Sequence, residues 1–351
     1  MRLVSTTLLA TTIVSSGVGL AQADINVVTS IKPVNSLVAA VMNGVSDPTL
    51  LVDGAASPHT YALKPSQARQ LQDADLVFWM SHDLEAFLEK SIEGIATKAT
   101  SVELMDSHGL IKLNFREGGA FDSHDHDDEE AHDDHGHDEK KHDDHGHDDH
   151  GHDESKHDDH GHDEHKHDDD GHDEHGHDGV DPHVWLDPVN AKALVHEIEE
   201  ALVEADPANA ASYEANAEAL MTELDSLVAE IDAELAPVRD RGFIVFHDAY
   251  QYFESRFGLS AVGSITVSPE VLPGAERVRK LQDKVRDLGA TCVFSEPQFE
   301  PKLVTTVTEN TEAGTGILDP LGATIKDGPE LYFTLIRKMA KSLKDCLIKN
   351  G

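Results

Sequence analysis

The stretch D-P-A-N-A-A-S-Y-E-A-N-A-E-A-L-M-T-E-L-D-S-L-V-A-E-I-D-A-E-L-A-P, residues 206–237, decides the architecture of this chain. Its apolar residues recur at steps of three and four, as Tyr213, Ala217, Leu220, Leu224, Leu227, Ile231 and Leu235. That period is typical of an amphipathic α-helix, and Asp206-Pro207 and Pro237 are suitable start and stop signals. At the usual rise per residue the helix would be about 45 Å long. We interpret it as a rigid connection between two lobes.

Short apolar runs alternate with helical patterns on both sides of this helix. Before it, the pattern predicts strands at 25–29, 50–52 and 76–79. It predicts helices at 33–43 and 65–73, and a third, after residues 122–178, at 188–205. After it, the pattern predicts strands at 243–246, 291–294 and 316–318, and helices at 278–288, capped by Gly289, and at 329–348. Such alternation is typical of parallel sheets covered by helices. We therefore predict an α/β fold with two α/β lobes joined by one long rigid helix.

The same reading sets the domain boundaries. Residues 1–23 are an export signal, 24–206 the N-terminal lobe, 207–237 the linking helix and 238–351 the C-terminal lobe. The signal has one positive charge at Arg2, an apolar stretch and the small-residue end Ala21-Gln22-Ala23, which predicts cleavage before Asp24. Ser and Thr dilute its hydrophobicity, which argues against a retained membrane anchor. We expect the mature protein in the periplasm.

An insert in the N-terminal lobe, residues 122–178, consists almost entirely of His, Asp, Glu, Gly and Lys and holds 18 of the 24 histidines. Neutral imidazole binds first-row divalent metals, with zinc and copper favoured. The insert has too few apolar residues to offset the entropy of ordering, so we expect it to be disordered until metal binds. We predict that it is an auxiliary zinc binder of lower affinity, through His132, His135, His137, His142, His145, His147, His150, His152, His157, His160 and His162.

Charge and cysteines narrow the class of protein. The formal net charge is −39, which argues against nucleic acid and anionic membranes as partners and suits cations. The two cysteines are Cys292 and Cys346. In an oxidising compartment such a pair is more often bridged than free, and a loop of that length stabilises the fold by roughly 4 kcal/mol in the chain-entropy model. We predict a disulfide.

Three histidines outside the insert lie where the chain turns back from a strand or enters a helix. His59 follows the strand at 50–52, His247 ends the strand at 243–246, and His183 lies in D-P-H-V-W-L-D-P. Asp319 directly follows the strand at 316–318. Ligands of open α/β sheets bind outside the carboxyl ends of strands. One lobe would then offer His59 and His183, and the other His247 and Asp319, with a metal in the cleft between them.

Each of these histidines, taken singly, is more often an ordinary hydrogen-bonded residue than a metal ligand. We assign that ordinary role to His82, His108 and His196, which lie in polar connections or among glutamates on a helix. Three histidines at strand ends, in an exported chain that also carries a His-rich insert, together indicate a shared metal site.

Five segments carry a resemblance to a known family. They are G-A-A-S-P-H-T-Y-A-L-K-P-S at 54–66, D-P-H-V-W-L-D-P at 181–188, F-H-D-A-Y-Q-Y-F at 246–253, C-V-F-S-E-P-Q-F at 292–299 and L-D-P-L-G at 318–322. With them the chain resembles the periplasmic zinc-binding components of high-affinity ABC importers, the ZnuA type of the metal-specific solute-binding protein family. The segments occur in order over nearly the whole mature chain.

The resemblance implies a transport protein whose cargo is Zn²⁺, not an enzyme. It implies that His59, His183 and His247 are the zinc ligands, that Asp319 stands at the fourth position, and that Cys292 and Cys346 form the disulfide. The implied partners are a membrane permease with its cytoplasmic ATPase, and a periplasmic zinc chaperone is a further candidate. We expect a monomer that binds no nucleic acid.

Departures and rival functions keep alternatives open. Relatives that carry manganese tend to have Glu in place of His247, and manganese prefers oxygen ligands. Some zinc members have an acid before the first histidine where this chain has Pro58, so the fourth ligand stays open between Asp319 and water. The rivals are a carrier of manganese or another divalent metal, a zinc-storage protein, an adhesin, and a zinc-dependent hydrolase. In the hydrolase Glu296 would be the general base, whereas in a carrier it would orient a ligand histidine.

Overall fold

The computed structural model describes residues 25–116, 121, 179–266, 274–287 and 291–350. The predictions for the export signal, its cleavage before Asp24, the His-rich insert and the cap at Gly289 lie outside these residues. Both lobes belong to one compact unit. In the part of the chain that is described, no helix has the length and apolar character that crossing a bilayer requires.

The N-terminal lobe contains a sheet of four parallel strands, β1 (Val27–Ile31), β2 (Thr49–Val52), β3 (Leu76–Trp79) and β4 (Thr100–Glu103), in the order β2-β1-β3-β4. Helices α1 (Lys32–Val41), α2 (Pro65–Gln72) and α3 (Ala86–Ile95) accompany it. Val27 and Phe78 face the main core, whereas Val28 and Val77 face a smaller cluster on the other side of the sheet. Burial on both faces explains the continuous apolar run L-V-F-W of β3, whereas β1, V-V-T-S-I, also buries the polar residues Thr29 and Ser30.

Helix α4 (Pro188–Ala205) completes the N-terminal lobe, and the long helix α5 (Ala210–Leu235) follows it. All seven apolar residues that define the predicted stripe of the long helix are buried. Helix α5 packs against α1 and α4. Its 26 residues correspond to about 39 Å, not 45 Å, because residues 207–209 and 236–238 form 3₁₀ turns at its two ends.

The C-terminal lobe contains a second parallel sheet, β5 (Phe243–His247), β6 (Ala261–Thr266), β7 (Cys292–Ser295) and β8 (Gly314–Ile317), in the order β6-β5-β7-β8. Its helices are α6 (Gln251–Phe257), α7 (Ala275–Asp287), α8 (Lys302–Thr308) and α9 (Leu331–Asn350). Helix α9 packs against both α5 and α1, so the main core runs from one lobe into the other. The prediction of two α/β lobes with parallel sheets is confirmed.

Five elements were not predicted from the sequence: β4, β6, α3, α6 and α8. The two strands lie at the edges of their sheets. The sequence of β4 is T-S-V-E and that of β6 is A-V-G-S-I-T, so neither has the continuous apolar run of a central strand. Edge position alone does not explain the miss, because β2 and β8 are also edge strands and were predicted. The polar residues within β4 and β6 are what weaken the hydrophobic pattern.

The predicted disulfide is present. Cys292 on β7 is bonded to Cys346 on α9, with a Cα–Cα distance of 6.2 Å. Both cysteines are buried. The bond therefore attaches the C-terminal helix to a central strand of the second sheet.

Candidate metal centre

Three imidazole rings from different parts of the chain converge between the lobes. Ring centroids are 5.5 Å apart for His59 and His183, 5.8 Å for His59 and His247, and 5.3 Å for His183 and His247. The Nε2 atoms of His183 and His247 are 3.5 Å apart. One nitrogen from each of the three rings lies within 4.8 Å of the other two, and no other group of His, Cys, Asp or Glu in the described ranges is arranged in this way.

Each ring is placed by a short, well-defined piece of backbone. His247 is the last residue of β5, and His59 lies in a 3₁₀ turn, Pro58–Thr60, beyond β2. His183 precedes the turn Val184–Leu186 that leads into α4. Asp187 fixes the start of α4 because its Oδ1 accepts a hydrogen bond from the backbone N–H of Val189 at 2.8 Å.

Two buried carboxylates orient two of the rings. The Nδ1 atom of His183 is 2.6 Å from Asp181 Oδ1, and Nδ1 of His247 is 2.7 Å from Glu296 Oε1. A carboxylate that accepts from Nδ1–H keeps the proton on that nitrogen and leaves the Nε2 lone pair for a metal. Asp181 is itself held by Gln251, whose Nε2 donates to Oδ2 at 2.7 Å. The arrangement is that of ligand histidines with their supporting carboxylates.

The electrostatics of the rings differ. Burial lowers the pKa of His59 well below its usual value, and the neighbouring His183 and His247 lower it further. Burial also lowers the pKa of His247. The negative charges of Glu296, Asp248 and Asp181 outweigh this effect, so that the pKa of His247 is raised overall. The His59 ring is therefore neutral at neutral pH, whereas His247 takes up a proton at a higher pH than His59 does.

Asp319 does not belong to the group of three rings in this structure. Its Oδ1 accepts from Gln298 Nε2 at 3.0 Å and from the backbone N–H groups of Leu321 and Gly322 at 3.2 and 2.9 Å. Its Oδ2 accepts from the N–H of Ala323 at 2.7 Å. Asp319 thus stabilises the turn that follows β8, and its role as a metal ligand stays a prediction.

A small cavity of about 10 Å³ adjoins the three rings and is also lined by Glu296, Gln298, Pro320 and Leu321. That volume is about the size of one water molecule. Glu296 Oε2 and Gln298 Oε1 are buried and make no hydrogen bond of good geometry with the described residues, although the Tyr250 hydroxyl lies close enough to Glu296 for this carboxylate to add to the rise that burial causes in the pKa of the tyrosine. Buried acceptors of this kind are expected to find a donor.

The remaining histidines of the described ranges lie apart from this group. The side chains of His82 and His196 are 52% and 59% exposed and lie near Asp83 and near Glu199 and Glu200, respectively, while His108 is exposed. The sequence-based division into candidate ligands and ordinary residues therefore matches the placement of the side chains.

Sequence reasoning missed Asp181. The available signal was its position two residues before His183 in D-P-H, where its side chain accepts from both the backbone N–H and the ring of the histidine. For Glu296 the sequence leaves two roles open, a general base or the partner of a ligand. In the structure it bonds Nδ1 of His247, whereas Nε2 of the same ring lies 3.5 Å from Nε2 of His183.

Described residues on either side of the His-rich insert are bonded to each other and to the C-terminal lobe. The backbone N–H of Phe115 donates to Gly179 O at 2.8 Å, and that of Asp181 donates to Leu113 O at 2.9 Å. Arg116 forms ion pairs with Asp248 and Glu254 of the C-terminal lobe. Residues on both sides of the insert are thus held next to His183 and His247.

Comparisons with known proteins agree with this chemistry. A family model described as "Zinc-uptake complex component A periplasmic" matches residues 27–346. The high-affinity zinc uptake system protein ZnuA of Brucella suis biovar 1 is 55% identical over 323 residues, which cover 92% of each chain. A crystal structure of ZnuA has a TM-score of 0.67 at 22% identity, over 94% of this chain and 100% of that one.

A mutant of the laminin-binding adhesin Lmb from Streptococcus agalactiae also has a TM-score of 0.67, at 23% identity, with 92% of this chain and 99% of that chain covered. At this level of identity the two solved structures show that the fold is shared, and no more. The architecture of two α/β lobes therefore occurs in proteins with different described roles.

Proposed function

Because the chain belongs to the family of periplasmic component A proteins of zinc-uptake complexes, we propose that it captures Zn²⁺ between its lobes and delivers it to the permease of an ABC importer. The ligands would be His59, His183 and His247. The observation that carries the proposal is the convergence of three imidazoles, two of them already oriented by buried carboxylates.

The spacing of the rings fits a bound metal, and the donor set favours zinc over manganese. Two nitrogens bound to one tetrahedral zinc at 2.0–2.1 Å lie about 3.3–3.4 Å apart, and the Nε2 atoms of His183 and His247 are separated by 3.5 Å. Three imidazoles also form a borderline-soft donor set, which suits zinc, whereas manganese prefers carboxylate and water oxygens. Carriage of manganese or another divalent metal is the alternative that a competition experiment addresses.

Water is the fourth ligand that the surroundings favour. Coordination by Asp319 would require its carboxylate to give up hydrogen bonds to Gln298 and to three backbone N–H groups. A metal-bound water in the small cavity could donate to Glu296 Oε2 and Gln298 Oε1, the two acceptors there that make no hydrogen bond of good geometry with the described residues. Asp319 remains the alternative ligand.

A hydrolase is less compatible with these contacts. A metal-dependent hydrolase needs a general base that reaches the metal-bound water. Glu296 Oε2 could reach such a water, but the cavity beside the rings, about 10 Å³, has no room for a substrate. The other oxygen of Glu296 accepts from the ring Nδ1–H and the backbone N–H of His247 at 2.7 and 3.3 Å, as expected of a residue that orients a ligand. A storage protein would need the His-rich insert but not two lobes with a shared, oriented ligand set.

The remaining parts of the proposal follow from the family and the sequence. The protein would be exported to the periplasm, act as a monomer and work with a permease and its cytoplasmic ATPase. Residues 122–178 would bind additional zinc with lower affinity, because their ligands must be ordered each time a metal binds. A periplasmic zinc chaperone is a further proposed partner.

Zinc titration calorimetry tests this function on the mature chain and on a variant that lacks residues 122–178. We expect one tight site to survive the deletion, with zinc preferred over manganese in competition. His59→Ala, His183→Ala and His247→Ala should each weaken the tight site, whereas His82→Ala, His108→Ala and His196→Ala serve as matched controls. Loss of tight binding on deletion, or equal effects in both sets of histidines, would contradict the assignment.

A further inference from the structure

Residues 318–330, here called the strap, cross from the end of β8 to the start of α9 and contact the N-terminal lobe along their length. Near the metal site, Pro320 and Leu321 line the small cavity beside the three rings, and Pro320 O accepts from Trp185 Nε1 at 2.9 Å. At the other end, Ser36 Oγ on α1 donates to Gly328 O at 2.8 Å. The strap therefore lines the site at one end and is bonded to α1 at the other.

Lys32, the first residue of α1, is the charged contact between α1 and the strap. Its side chain is only 4% exposed, and its Nζ donates to Ile325 O at 2.8 Å and pairs with Asp327 at 2.9 Å. A lysine at the N-terminus of a helix is disfavoured by the helix dipole, and burial adds a desolvation cost. A lysine at this position therefore does not help α1 to form. The contacts of Lys32 with the strap account for its burial there.

The same ammonium group also faces the turn that leads to His59. Asp53, which directly follows β2, has its Oδ1 3.8 Å from Lys32 Nζ and accepts from the backbone N–H of Gly54 at 2.6 Å. Gly54 has φ of +71°, a conformation that favours glycine and makes this a sharp turn. Lys32 thus lies between the segment that carries His59 and the strap that carries Pro320 and Leu321.

The contacts of Lys32 bear on how closely the three rings can approach one metal. The candidate ligand nitrogens lie within 4.8 Å of one another, and the Nε2 atoms of His183 and His247 are 3.5 Å apart, close to the separation expected around a tetrahedral zinc. Both of those histidines are buried and held by carboxylates, whereas His59 is half-buried and lies on a turn. The position of the His59 turn relative to the strap therefore determines how well the third ligand reaches the metal.

We propose that Lys32 is a positioning residue of the metal site: it ties the turn that leads to His59 to the strap and so slows the release of zinc. The inference rests on the proposed zinc site. Lys32 touches neither the metal nor a ligand, and it acts through the placement of His59 and of the strap over the cavity.

The test is the rate at which the zinc-loaded mature protein transfers its metal to a chromogenic chelator, with affinity measured by competition. Lys32→Met keeps the length of the side chain and removes its charge, and we expect zinc release to be faster and affinity weaker by about 2–30-fold, the range typical of residues that act on a site without touching its ligand. Lys32→Arg should restore most of the wild-type behaviour. Lys326→Met, on an exposed side chain of the strap, is the matched control.

Asp327→Asn is a second, independent variant, since Asp327 is 47% exposed and its substitution is compatible with folding. It should accelerate release in the same direction by a smaller factor. In the double variant Lys32→Met/Asp327→Asn the two effects should be less than additive, because both remove one ion pair.

The outcomes separate this inference from the proposed function. If the wild-type protein has no tight zinc site, the proposed function fails. If it binds zinc tightly while Lys32→Met and Asp327→Asn release zinc at the wild-type rate, the role of Lys32 is refuted, even where thermal stability of the metal-free protein falls. Should Lys32→Met not fold, Asp327→Asn decides the question in the same assay.

Discussion

Glu296→Gln gives a quantitative test of how the site holds zinc. Glu296 is 2% exposed, and its Oε1 lies 2.7 Å from Nδ1 of His247. Glutamine has the same shape and can still accept this hydrogen bond, but it removes the negative charge. Carboxylates that support ligand histidines typically contribute 10–100-fold to metal affinity. We therefore expect the Kd for zinc at pH 7.5 to rise by about 10–100-fold, which corresponds to about 1.4–2.8 kcal/mol.

The pH dependence distinguishes this effect from general damage to the site. Glu296 raises the pKa of His247 against the lowering effect of burial. In the wild-type protein, protons therefore begin to compete with zinc for His247 at a higher pH than they would without that carboxylate. Glu296→Gln lowers the pKa of His247, so the zinc affinity of this variant should decline less than that of the wild type as the pH falls. The difference in affinity between the two proteins should narrow from pH 7.5 to pH 5.5.

The assay is zinc competition with a chelator of known affinity at several pH values, on the variant that lacks residues 122–178. Glu300→Gln, an exposed glutamate of the same segment, is the control and should follow the wild type. A Glu296→Gln protein with wild-type affinity would refute the role of this carboxylate. A loss that stays constant across the pH range would refute the electrostatic part of the reasoning.

Three further predictions concern the fourth ligand and stability. Asp319→Ala should weaken zinc binding less than any of the three histidine substitutions, because water completes the shell; calorimetry showing an equal loss would make Asp319 a ligand. Burial raises the pKa of Glu85 from its usual 4.5 to about 7, so the folded state binds the proton more tightly and stability is lost as the pH rises through this window. Relative to the wild type, the free energy of unfolding of Glu85→Gln should therefore be about 3 kcal/mol higher at pH 8 than at pH 4.5, as measured by urea unfolding. A difference between the two proteins that does not change with pH would exclude this effect. Replacing both Cys292 and Cys346 with Ala, which removes a link across 54 residues, should cost roughly 4 kcal/mol of stability and leave zinc affinity unchanged; a large loss of affinity would show that the bond also shapes the site.

The sequence by itself determined the elements whose signal is local. The seven apolar residues of α5 recur with the helical period, and all seven are buried. The central strands β3, β5 and β7 have largely apolar sequences because both of their faces are covered. His59, His183 and His247 could be selected because a residue's place at the end of a strand or before a helix is visible in the sequence pattern.

Only the tertiary structure decided which groups meet. His247 and Glu296 are 49 residues apart in the chain, and Lys32 and Ile325 are 293 apart. No local pattern encodes such pairs, because they depend on how two separately formed sheets are placed against α5 and α9. The same holds for Asp319, whose position after β8 fits a ligand but whose carboxylate is bound by the turn it begins. Periodicity and strand ends are short-range properties of the chain, whereas the partners of a buried charge are fixed by packing.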